Sequence, residues 1–248
     1  MQYFGTIETK YEEVFLTSSY LYFNNEDEEI TSKELKQMMK TNKDRKRNIA
    51  GTIFLYNPII TPVGFDSNSF LLDQNFDMFG EVIELKQENY ITVFKQALNE
   101  NYKGKIVEIK NLFNLNEKSI DAASLLTKFN SDLEKYNSLQ NTEFDRDIMY
   151  FDAQEFIPSG KFVFFAWGEK INAKEFVFIN NYAQTIFRRC LDMGKKVAFV
   201  YKKEKTQEWC EDHIQFASPY TISKYKHAIS HSIKKSFEEV PPIPFPYD

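Results

Sequence analysis

Four segments of the chain are short, mostly apolar runs bounded by polar residues: Thr52–Tyr56 (TIFLY), Lys105–Ile109 (KIVEI), Phe162–Ala166 (FVFFA) and Val197–Tyr201 (VAFVY). Three of them are nearly unbroken, as expected of strands covered on both faces of a parallel sheet. Between them the apolar positions recur at helical spacing. Glu88–Tyr102 places Ile91, Phe94, Ala97 and Leu98 on one face, and Ser119–Tyr136 does the same with Ala122, Leu125, Leu126, Phe129, Leu133 and Tyr136. Lys174–Met193 carries Phe178, Tyr182, Ile186 and Leu191 and stops at Gly194, a natural C-cap; Ser223–Glu239 closes the series with Tyr225, Ala228, Ile229, Ile233 and Phe237. This alternation predicts an α/β fold of the three-layer α/β/α type, with a central four-stranded, mainly parallel sheet and right-handed crossovers.

The flanks read differently. Residues 1–24 hold two β-like patches, Glu13–Leu16 and Tyr20–Phe23, before an acidic run from Asn24 to Glu29. Thr31 and Glu34 then form a capping box ahead of Leu35, Met38 and Met39, which predicts a short helix. Residues 1–48 are therefore an N-terminal β/α extension packed on the core, residues 49–240 the α/β domain, and residues 241–248 a tail. The tail holds four of the eight prolines, which excludes helix and central strand and leaves an extended strap or a disordered end.

Composition narrows the function classes. The net charge is −5 and the pI about 5.4, which argues against a basic coat that binds nucleic acid non-specifically. The local basic cluster Lys40, Lys43, Arg45, Lys46 and Arg47 reads as a solvated loop before a strand. Cys190 and Cys210 have neither metal spacing nor a disulfide framework, so a reduced, cytoplasmic setting is expected. The N-terminus carries acidic residues where a signal peptide needs an apolar core, and no stretch approaches ~18 uninterrupted apolar residues, so no membrane partner is expected. His227 and His231 lie four apart on the last predicted helix without a companion cluster, and read as part of an amphipathic helix.

In an open α/β sheet, ligands bind outside the carboxyl ends of the strands. The residues that follow the four predicted strands are Asn57-Pro58, Lys110-Asn111-Leu112-Phe113, Trp167-Gly168, and a polar stretch leading to His213 and Phe216-Ala217-Ser218-Pro219-Tyr220. Each has an ordinary structural reading as a turn, a cap or core. Their joint placement at strand ends makes them candidates for one rim. No phosphate loop, dinucleotide fingerprint or nucleophile elbow occurs in the sequence, so no cofactor and no metal is expected.

Read in order, Leu55-Tyr56-Asn57-Pro58, Asn111-Leu112-Phe113, Ala166-Trp167-Gly168 and Ser218-Pro219 resemble the strand-end motifs of the uracil-DNA glycosylase superfamily. They look closer still to an uncharacterised bacterial family with LNPS, NLF and AWG motifs. The resemblance spans roughly residues 51–240. It implies that Asn57 orients a hydrolytic water, that Phe70 stacks on a base, and that Asn111 reads the base edge. Tyr56, Pro58, Trp167, Phe216 and Ser218 would line the same site. The implied partner is DNA or a nucleotide or base, with the base flipped out of any duplex. The implied activity is that of a hydrolase cleaving an N-glycosidic bond in DNA repair.

Two positions depart from the pattern. Phe216 stands where the superfamily's loop histidine bonds the leaving base, and Asn57 stands where other members carry aspartate. The alternative reading is accordingly a catalytically inactive nucleotide- or DNA-binding module of the same fold. A third is an interaction protein that uses the aromatic N-terminal region and the proline-rich tail.

Overall fold

The computed structural model describes residues 1–10, 13–25, 28–55, 81–85, 94, 98, 102–112, 127, 157–166, 177–202 and 243–247. These form a mixed α/β structure. The strands are β1 (Gln2–Lys10), β2 (Glu13–Tyr22), β3 (Ile49–Leu55), β4 (Glu81–Glu84), β5 (Ile106–Asn111), β6 (Phe162–Phe165), β7 (Lys196–Lys202) and β8 (Ile243–Tyr247). The helices are α1 (Ser32–Met38), α2 (Asn42–Asn48) and α3 (Val177–Asp192). Phe94, Leu98 and Thr127 are helical as well, within two of the segments where helical spacing occurs. The last predicted helix, 223–239, lies outside the described residues.

All four expected strands form, and they are neighbours. The order across the sheet is β4-β1-β2-β5-β3-β6-β7-β8, with β5, β3, β6 and β7 mutually parallel. The expectation of a four-stranded sheet is corrected in width: the sheet has eight strands and is mixed. On one side β2 pairs antiparallel with β5, placing Ser19 opposite Ile109 and Tyr22 opposite Ile106, and β1 and β4 follow antiparallel. On the other side β8 pairs parallel with β7. The physical reason is that β5 and β7 each have a second edge whose backbone groups need partners.

The tail provides one of those partners without breaking the proline rule. Pro244 and Pro246 lie opposite Phe199 and Tyr201. Being two residues apart, their nitrogens share one lateral side of the strand. With that side outward, Ile243, Phe245 and Tyr247 keep their amides for β7, and the outer edge has no donor at either proline.

The central strands are covered on both faces: every described residue of β6 is buried, as is all of β3 except Ala50. One face gathers Ile53, Leu55, Val107, Ile109, Phe162 and Phe164 against Phe94 and Leu98, with the Phe94 and Phe164 rings edge to face at 6.0 Å. On the other, Phe54 stacks on Phe165 at 5.6 Å, and Phe165 meets Phe187 of α3 at 5.3 Å. Such ring pairs each add about 0.5–1.5 kcal/mol beyond the area they bury.

Local chemistry sets the ends of the helices. Thr31 Oγ1 accepts from the Glu34 amide at 3.3 Å, and the Thr31 amide donates to Glu34 Oε2 at 2.7 Å, so the expected capping box is formed. Leu35 of α1 is fully buried beside Phe4, Tyr20, Ile49 and Ile106. α3 ends in a Schellman turn: the Lys195 amide donates to Cys190 O and the Gly194 amide to Leu191 O, with Gly194 at φ 66°.

Two glycines of positive φ make opposite predictions. Gly160 (φ 74°) turns the chain into β6, and a Cβ there would lie 2.4 Å from Ala50 C and Gly51 N. At Gly194 a Cβ would meet nothing within 4 Å. Gly194→Ala should therefore cost about 1–2 kcal/mol, the intrinsic penalty of the left-handed region. Gly160→Ala should cost clearly more, because backbone must also move. Chemical denaturation of both variants checks the ranking, and equal losses would refute it.

Candidate functional site

The carboxyl ends of the parallel strands are brought side by side. Asn111 closes β5 directly opposite Leu55, the last residue of β3. The Leu112 amide donates to Leu55 O at 2.9 Å, and the Ala166 amide donates to Phe54 O at 2.8 Å. The residues that lead into Tyr56-Asn57-Pro58 and into Trp167-Gly168 thus sit on adjacent strands, with Asn111 next to them. Asn111 is 2% exposed and its amide oxygen is shielded from solvent. It projects from a strand buried on both faces, so its position is fixed by the sheet. Of the residues expected at this rim, Tyr56, Asn57, Pro58, Phe70, Trp167, Phe216 and Ser218 lie outside the described residues, as do His227 and His231.

The middle of the sheet holds a feature that the strand-end reading missed. Glu108 lies in mid-β5, between Tyr20 of β2 and Thr52 of β3, and is 1% exposed. Arg45 Nη2 donates to Glu108 Oε1 at 3.1 Å, and Lys110 Nζ is 3.5 Å from the same oxygen. Lys110 Nζ also donates to Ser18 Oγ at 2.6 Å. Thr52 Oγ1 donates to Ser159 O at 2.9 Å, which holds the turn before β6 against the same cluster. Burial by itself would raise the Glu108 pKa. The charges of Lys110 and Arg45, with hydrogen bonds from Ser159 and Lys110, outweigh it and hold the carboxyl below the usual glutamate value.

The basic cluster expected as a solvated loop is solvated at Lys40, Lys43, Lys46 and Arg47, which are exposed, but its backbone is helical and Arg45 is half-buried. Residues 42–48 are helix α2, capped by Thr41, whose Oγ1 accepts from the Asp44 amide at 3.1 Å. Asn48 Nδ2 donates to Met38 O at 2.7 Å and ties α2 to α1. Arg45 is turned toward the buried carboxylate, 63 residues away in sequence.

In front of this cluster lies a cavity of about 640 Å³, lined by Asn42, Arg45 and Lys46 of α2, the turn Ile157–Lys161, and Lys195. These segments immediately precede β3, β6 and β7, so the cavity is at the amino ends of the parallel strands. Lys195 Nζ donates to Gly160 O at 2.8 Å. Burial lowers the Lys195 pKa below the usual lysine value, with the Lys46 charge acting in the same direction and Cys190 against them. Cys190 itself is buried, and burial pushes its thiol up to about 12, so it is no nucleophile at neutral pH. Among the described residues no group of three or more His, Cys, Asp or Glu side chains could hold a metal ion. Nor is any helix of those residues long and apolar enough to cross a membrane. No family model, no curated protein and no solved structure matches this chain.

Because the folded-state pKa of Glu108 is depressed, its contribution to stability is complete above the unfolded value, about 4.3, and is lost as pH falls toward the folded value. Glu108→Gln should cost about 2–3 kcal/mol near neutral pH, from the loss of charged hydrogen bonds and two cations left without their counter-ion. It should also flatten the fall in stability between about pH 5 and pH 3. Urea titrations of both proteins across that range test this; parallel stability–pH curves would refute it.

Proposed function

We propose that this chain recognises a nucleobase, through a uracil-DNA glycosylase-like site at the carboxyl ends of β3, β5 and β6, and that it hydrolyses an N-glycosidic bond there. The frame proposed with it is three-layer α/β/α, built on the parallel strands β5-β3-β6-β7. The observation that carries the reading is Asn111: a buried side-chain amide at the end of β5, one strand from the residue that leads into Tyr56-Asn57-Pro58. An amide offers one acceptor and two donors in a plane, which matches the paired groups on a base edge. Held by the sheet, it loses little freedom on binding.

In this reading Asn57 orients the attacking water and Phe70 stacks on the base. Tyr56, Pro58, Trp167 and Ser218 complete the walls. The transition state is oxocarbenium-like and needs a donor for the departing base. Phe216 supplies none, and this favours a second reading in which the protein binds a base or nucleotide without cleaving it.

The experiment is base release from uracil-containing and mismatch-containing oligonucleotides, run beside calorimetric titration of free bases. Release should be seen and should fall by about 10²-fold or more in Asn57→Ala. Asn111→Ala should weaken base binding by roughly tenfold or more while circular dichroism remains native. Binding without release would select the second reading. Absence of both would overturn the proposal.

A further inference from the structure

We infer that the cavity between α2, the turn 157–161 and Lys195 is a binding site for a small phosphorylated molecule carrying a diphosphate group. Four cationic side chains line it: Arg45, Lys46, Lys161 and Lys195. Among the described residues none of those lining it is acidic. They come from three separate segments that the sheet brings together, so the convergence is a property of the fold and not of one charged run. Arg45 is paired with Glu108, which leaves three lysines as the local excess. An organic diphosphate carries about three negative charges near neutral pH, roughly −1.5 to −2 on its terminal phosphate and about −1 on the inner one.

The site has the architecture of a binder. Arg45 is held at its guanidinium by a buried carboxylate, and Lys195 is held at its ammonium by Gly160 O. Two cationic anchors therefore face the cavity with little freedom left to lose. Lys46 and Lys195 repel each other across it, and a bound anion relieves that repulsion. Asn42 adds an amide, and Ile157, 66% exposed, provides an apolar lip for an organic body.

Size and overall charge decide between a small molecule and a polymer. About 640 Å³ falls within the range of small-molecule sites. A protein of net charge −5 repels an extended polyanion beyond the cavity mouth. The site is also separate from the proposed base-binding rim. β3 spans seven residues between the two ends of the sheet, roughly 20 Å at ~3.3 Å per residue, too far for one nucleotide to occupy both.

The test is isothermal titration of the full chain with inorganic pyrophosphate at about 0.1 M salt, where exposed charges are screened beyond about 10 Å. Saturable one-site binding is expected. Lys46 and Lys161 are both exposed, so the double variant Lys46→Glu, Lys161→Glu should fold normally and lose affinity by roughly 100-fold, a factor of ten for each charge reversed. Asn57→Ala should leave the titration unchanged, which separates failure here from failure of the base-recognition reading. The inference is overturned by absence of binding up to about 5 mM pyrophosphate, by equal affinity in the double variant, or by displacement of pyrophosphate by a single-stranded oligonucleotide without a terminal phosphate.

Discussion

A buried carboxylate in the middle of the sheet constrains everything around it. Glu108 lies between β2 and β3 with almost no access to solvent. A lone charge in such a place costs several kcal/mol, far more than a marginally stable domain tolerates. Its compensation comes from three places: Arg45 on α2, Lys110 on the same strand, and Ser159 in the turn before β6. Satisfying one side chain thus fixes a helix and a turn against the sheet. That in turn sets the positions of Arg45 and Gly160 at the amino ends of the strands. A leucine at position 108 would remove the need for the charge and for the arrangement of α2 that answers it.

How much of this could be read in one dimension depended on the range of each interaction. The four central strands were legible because burial on both faces leaves a continuous apolar run, as in Phe162–Phe165. The capping box at Thr31 and the stop at Gly194 were legible because both are closed within a few residues. The width of the sheet was not, since β-like patches such as Tyr20-Leu21-Tyr22 do not say which edge they will join. The role of Arg45 within the exposed basic cluster was not legible for the same reason: its partner lies 63 positions away, on a strand whose single glutamate gives no local sign of being a counter-ion.

For the candidate sites the division is sharper. Asn111 is the candidate that the strand-end rule picks out, and it stands at a strand end beside β3. The other expected rim residues lie outside the described residues. The cavity at the amino ends escaped notice because Lys161 and Lys195 are single lysines in unremarkable contexts, and only the parallel pairing of β3, β6 and β7 brings them to Arg45 and Lys46. The sheet thereby separates two chemistries, an uncharged amide at one end of its parallel strands and a cationic cluster at the other.

The antiparallel pairing of β2 with β5 has a consequence for how the chain acquires its structure. Ninety positions separate Ser19 from its partner Ile109, and the other side of the hairpin waits for β4 at residues 81–84. The hairpin is complete at Tyr22 and β4 begins about 60 positions later, so at a synthesis rate of ~5–20 residues per second the aromatic β1–β2 hairpin spends roughly 3–12 seconds with both of its edges unmatched. Contacts of such long sequence separation also slow the closing step itself. The N-terminal hairpin is therefore the segment most exposed to wrong pairing during biosynthesis, and yield in the cell should depend on chaperone capacity more than the stability of the finished fold would suggest.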